Sequence, residues 1–127
     1  MDVYSVDELI DALTDPIERF GAEMPVRWSD APRGGAAAAR PLAVTVRALH
    51  AHPTVILSPA LVGADAQPPV ETVAELLDQL RDPWDSYGVD LRIFWMEDPR
   101  GGPAAAVYLS VEVETFDGVR TVVMFPA

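Results

Sequence analysis

The side chains most able to do chemistry in this chain are two histidines, a repeated Pro-Arg-Gly-Gly loop and one aromatic-acidic segment. His50 and His52 alternate in a turn-like stretch and could supply two imidazoles to a metal. A structural zinc site takes four ligands and a catalytic one usually three, and no third ligand stands nearby in sequence. There is no Cys, so no thiolate site, thiol nucleophile or disulfide framework is expected. Ser58 lacks both a neighbouring base and the glycines of a nucleophile elbow. The 20 acidic residues could include a carboxylate pair for acid–base work. Most of them, however, fall at solvent-facing helix positions or in loops. The expectation is a protein with no catalytic residues, no metal and no cofactor.

Two other features point to binding. Arg33-Gly34-Gly35 and Arg100-Gly101-Gly102 each follow a proline. Glycine amides that converge beside an Arg can form an anion nest; the alternative is a flexible loop present twice. The segment Asp82-Pro83-Trp84-Asp85-Ser86-Tyr87 sets Trp84 and Tyr87 among Asp82 and Asp85, and Glu97 and Asp98 follow later. Aromatic side chains with a charged rim are the composition of protein–protein hot spots. The competing reading is that Trp84 and Tyr87 only close a helix onto the core. Trp28 and Trp95 lie on alternating strand faces and read as core.

These residues sit on a scaffold that is written twice. Shifting the chain by 67 residues lays residues 5–60 on 72–127 without a gap, and 23 of the 56 pairs are identical. Such a period has to be recognised before a fold is assigned. Each unit opens with a helix. Ser5 and Thr72 are cap types with Glu8 and Glu75 three residues on, a capping box. Val6, Leu9, Ile10 and Leu13, like Val73, Leu76, Leu77 and Leu80, make one apolar stripe. Asp15-Pro16 and Asp82-Pro83 are expected to end or redirect the helix, with Gly21 and Gly88 as left-handed closing residues.

Three strands follow in each unit. Met24, Val26 and Trp28 alternate, as do Leu91, Ile93 and Trp95. Leu42, Val44 and Val46 correspond to Leu109, Val111 and Val113, with the other strand face expected to be wet. Thr54–Ser58 and Thr121–Phe125 close the units. Asp117-Gly118 signals a tight hairpin; His50-Ala51 stands in its place in the first unit, so a different turn is expected there.

The fold class is α+β: a tandem duplication of a helix–strand–strand–strand unit, with antiparallel sheet or sheets, helices on one face and a pseudo-twofold axis. A single compact domain, 1–127, is expected from repeats 5–60 and 72–127 joined by linker 61–71. A unit of this size alone would bury only about 60% of its unfolded surface, so a shared core is expected.

The net charge is −11, and all nine basic residues are Arg. The excess leans toward the second half. An acidic surface disfavours nucleic acid and anionic membrane and favours basic partners, although it also serves solubility. No apolar run reaches the length of a membrane span, and no signal pattern opens the chain. Cytoplasmic residence is the resulting expectation.

Thr72-Val73-Ala74-Glu75-Leu76-Leu77, Leu109–Val113 and Gly118–Met124 together resemble immunity proteins of bacterial polymorphic toxin systems, the type associated with deaminase toxins. That resemblance implies a non-catalytic protein that binds a cognate toxin and blocks its active site. Toxins directed at nucleic acid need cationic clefts, which gives an acidic inhibitor its electrostatic rationale. The expected partner is a basic protein, with no nucleic acid and no membrane, and the chain is expected to be a monomer or weak dimer. The alternatives are an anion-binding accessory domain using the two Arg-Gly-Gly loops and a structural or self-assembly module.

Overall fold

The computed structural model describes residues 2–29, 42–49, 51–59, 69–88, 91–96, 106–116 and 118–126. In chain order the elements are β1 (Asp2–Val3), α1 (Val6–Phe20), β2 (Val26–Trp28), β3 (Leu42–Leu49) and β4 (His52–Pro59). They continue with α2 (Val73–Tyr87), β5 (Arg92–Trp95), β6 (Leu109–Phe116) and β7 (Val119–Pro126). The α+β class is as the sequence predicts.

Both helices start where the caps place them. Ser5 Oγ accepts from the Glu8 amide at 3.1 Å, and Thr72 Oγ1 accepts from the Glu75 amide at 3.2 Å. The glutamates reach back one residue further than in a standard capping box. Glu8 accepts from the Tyr4 amide and Glu75 from the Glu71 amide. Val6, Leu9 and Leu13, with Val73, Leu76 and Leu80, are buried along the predicted stripe. Each such side chain contributes about 1.5–3 kcal/mol relative to exposure. The Asp-Pro steps do not end the helices. Both run 15 residues through Pro16 and Pro83. Proline removes one amide donor, and the turns beyond it still close: the Gly21 amide donates to Ile17 O and the Gly88 amide to Trp84 O.

The strands form two sheets, ordered β1-β6-β7-β2 and β3-β4-β5. The hairpins β3/β4 and β6/β7 are antiparallel, but β2 runs parallel to β7 and β5 parallel to β4. The expectation of purely antiparallel sheets is therefore corrected: both sheets are mixed. Each sheet takes its hairpin from one half of the chain and its flanking strand from the other. The pairings correspond at the 67-residue offset. Val26↔Val122 answers Ile93↔Val55, and Val3↔Leu109 answers Val70↔Leu42. The Val6 amide donates to Leu91 O at 2.8 Å, and the Val73 amide donates to Met24 O at 2.9 Å. Val70 and Glu71, expected to be linker, are thus paired in the fold. Val70 is buried, and Glu71 O accepts from the Val26 amide.

The main core cluster contains residues from both halves, including both helix stripes and β2, β5, β6 and β7. In its interior the Trp28 and Trp95 rings stack, with centroids 3.6 Å apart and planes 8° from parallel. A second cluster, Leu49, Ile56, Phe94 and Met96, covers the opposite face of the β3-β4-β5 sheet. The one-sided alternation expected of β3 and β6 is only partly found: Ala43 and Ser110, on the face expected to be wet, are buried, and Val46 is exposed; in β4, Thr54 through Ser58 are all buried. The two hairpin turns also match each other. Leu49 pairs with His52 and Phe116 with Val119, so each turn has two residues and the different turn expected in the first unit has the same length as the second. Ala51 adopts φ 63° where Gly118 adopts φ 80°.

Candidate functional site

Four of the predicted partner-binding residues lie together on the C-terminal end of α2. Asp82, Trp84, Asp85 and Tyr87 are all solvent-accessible there, Trp84 at 36% and Tyr87 at 54%. Trp28 and Trp95 instead lie at 0% and 2%, as their strand alternation predicts. Glu97 and Asp98 lie outside the described residues. So do Arg33, Gly34, Gly35, Arg100, Gly101 and Gly102, together with His50.

The electrostatics of this end run against helix stability. A helix C-terminus carries partial negative charge and favours cations. α1 obeys this with Arg19 in its last turn, whereas the last turn of α2 holds no basic residue and contains Asp85. Arg81 sits one turn earlier, 3.9 Å from Asp78, and Arg19 lies 3.2 Å from Asp15. Both pairs are exposed, and exposed pairs add little stability.

Two depressions flank the Trp84–Tyr87 ridge. One is a groove of about 310 Å³ between the helices, lined by Ile10, Leu77, Leu80, Arg81, Trp84 and Asp85. Ile10 and Leu77 belong to the predicted apolar stripes but are only half-buried. The other is a cleft of about 340 Å³ lined by His52, Pro53, Tyr87, Leu91 and Arg92. From Arg92 a run of ring contacts leads through buried Phe94 to two exposed tyrosines. The Arg92 Cζ lies 5.8 Å from the Phe94 centroid. Phe94 and Tyr108 are 4.9 Å apart, and Tyr108 meets Tyr4 edge-on at 4.8 Å. Tyr4 and Tyr108 are exposed.

Sequence reasoning missed the run of contacts that links Arg92 through buried Phe94 to exposed Tyr108 and Tyr4; none of the four was singled out as a site residue. Their counterparts at the 67-residue offset are Glu71, Pro25, Arg27 and Pro41. That departure from the repeat was the available signal. Arg27 uses its guanidinium on Val26 O and Glu71 O, a structural role on the first-half side.

His52 is exposed on the second depression, and the described residues hold no cluster of three metal-ligating side chains. Ser58 is 1% exposed within β4. Thr54 and Thr121 donate their hydroxyls to the carbonyls of His52 and Val119. No described helix is long and apolar enough to cross a membrane. Compared with known protein families, curated proteins and solved structures, the chain matches none.

Proposed function

We propose that this is a non-catalytic acidic binding protein that docks a basic protein partner on the C-terminal end of α2. Within that class we place it as an immunity or antitoxin factor that acts in the cytoplasm by covering the active site of a cognate toxin. The observation that carries the reading is the exposed Trp84–Tyr87 ridge. Between Trp84 and Tyr87 the second half departs from the first at every position, replacing Ile17-Glu18-Arg19-Phe20 with Trp84-Asp85-Ser86-Tyr87. The result is two accessible aromatic rings, Trp84 on the groove between the helices and Tyr87 on the neighbouring cleft, with Asp82 and Asp85 exposed beside them. Buried aromatic anchors supply most of the affinity in such interfaces, and complementary charge supplies encounter rate and selectivity. Glu97 and Asp98, which lie outside the described residues, belong to the same sequence-based proposal.

The proposal includes an origin for the asymmetry. A unit that once paired with a second copy of itself was duplicated, after which the second-half surface diverged. The matching pair registers at the 67-residue offset support this. The test of function begins with the gene neighbourhood, where this reading expects a toxin domain immediately upstream, and continues with co-expression of that domain. A stable complex and restored growth are expected; no complex and no rescue would refute the reading.

A further inference from the structure

The cleft beside Tyr87 has a chemistry unlike the rest of this acidic surface. In the β3-β4-β5 sheet, Arg47 pairs with Thr54 and Thr54 with Arg92. Residues paired across neighbouring strands share a face, so two arginines flank Thr54 in one row, each about 4.8 Å of strand spacing away. His52, two residues before Thr54, lies on the same face. The Thr54 hydroxyl donates to His52 O at 3.0 Å and ties down the hairpin end. Arg92 Nη2 donates to Leu49 O at 3.3 Å, which anchors one corner of a guanidinium that carries five donors. The other half offers nothing comparable, because Glu114, Thr121 and Pro25 occupy the corresponding row.

We propose that this cleft binds a small organic oxyanion, a carboxylate or phosphate monoester carried on an apolar body. Arg92 and His52 hold the oxyanion, and Pro53, Leu91 and Tyr87 hold the body. The volume of about 340 Å³ falls within the range of small-ligand sites. A cation already held by a backbone carbonyl is pre-organised for an anion, and charge-assisted hydrogen bonds are the stronger kind. The site does not depend on the docking of a protein at Trp84.

The experiment is an amide-shift titration of the whole protein with benzoate, phenyl phosphate and, as the uncharged control, benzyl alcohol. Saturable shifts are expected at His52, Leu91 and Arg92 with at least one anion, and little response to the alcohol. The tighter of the two anions identifies the headgroup. Arg92→Gln should weaken that anion about tenfold or more, while Arg81→Gln, outside the cleft, should leave it unchanged. Because Arg92 also contacts Leu49 and Phe94, exposed His52→Ala provides a second variant and should weaken binding several-fold. The proposal is overturned if neither anion saturates, if the shifts map elsewhere, or if both cleft variants bind as the parent does.

Discussion

At the residue scale, glycine-like backbone positions are filled unequally. Gly21 and Gly88 combine φ 86° and 82° with ψ 165° and −163°. That region is almost closed to residues with a side chain, and it differs from the left-handed conformation expected of a helix-closing glycine. No heavy atom lies within 4 Å of a Cβ built at Gly88, so a substitution there meets backbone strain without steric collision. Ala51 sits at positive φ where Gly118 sits in the other hairpin, and L-residues pay about 1–2 kcal/mol in that conformation. Ala51→Gly should therefore stabilise the fold by about 0.5–1 kcal/mol, after allowance for the greater chain entropy of glycine. Gly88→Ala should destabilise it by about 1–3 kcal/mol. Denaturant midpoints check both, and equal signs for the two would contradict this account. The core role of Trp28 and Trp95 was legible from alternation. Their mutual stacking was not, because one strand's pattern says nothing about which other strand it faces.

At the element scale, helix starts were legible and helix ends were not. Ser5 with Glu8 and Thr72 with Glu75 state a cap chemically, whereas Pro16 and Pro83 are compatible with either a stop or a continued helix. The buried stripes end at Leu13 and Leu80, so the last turns are held by the closing bonds to Ile17 O and Trp84 O and, in α1, by half-buried Ile17 against the core. The C-terminal turn of α2 then lacks the cation that Arg19 gives α1, where Glu18 stands at the place of Asp85. Asp85→Asn should remove an unfavourable charge–dipole contact and stabilise the protein by about 0.3–1 kcal/mol at low ionic strength. The gain should shrink with added salt. Thermal unfolding at two salt concentrations reads this directly. A loss of stability at low salt would mean that Asp85 has a structural role.

At the scale of the whole molecule, the decisive feature is the exchange of flanking strands between halves. The period of 67 was visible in sequence, but alternation of side chains is the same whichever strand lies alongside. The crossing of β2 to β7 and β5 to β4 therefore had no sequence signature. Its consequence is mutual dependence. Residues 1–67 and 68–127 expressed apart should each be unfolded or self-associate, since neither supplies its own flanking partner; sedimentation with circular dichroism distinguishes these states. A folded, monomeric half would contradict the exchange. The proposed docking surface was legible in part. Trp84 and Tyr87 stood out by type and context, whereas Tyr4, Arg92 and Tyr108 joined them only through tertiary placement. Pseudo-equivalence also provides the sharpest control for function, because Phe20 occupies in α1 the place of Tyr87 in α2. The measurement is the affinity of the proposed cognate toxin domain for the parent protein, for Trp84→Ala combined with Tyr87→Ala, and for Phe20→Ala. The account predicts a loss of about a hundredfold or more for the α2 pair and parental affinity for Phe20→Ala. Undiminished binding by the α2 pair, or an equal loss from Phe20→Ala, would contradict it.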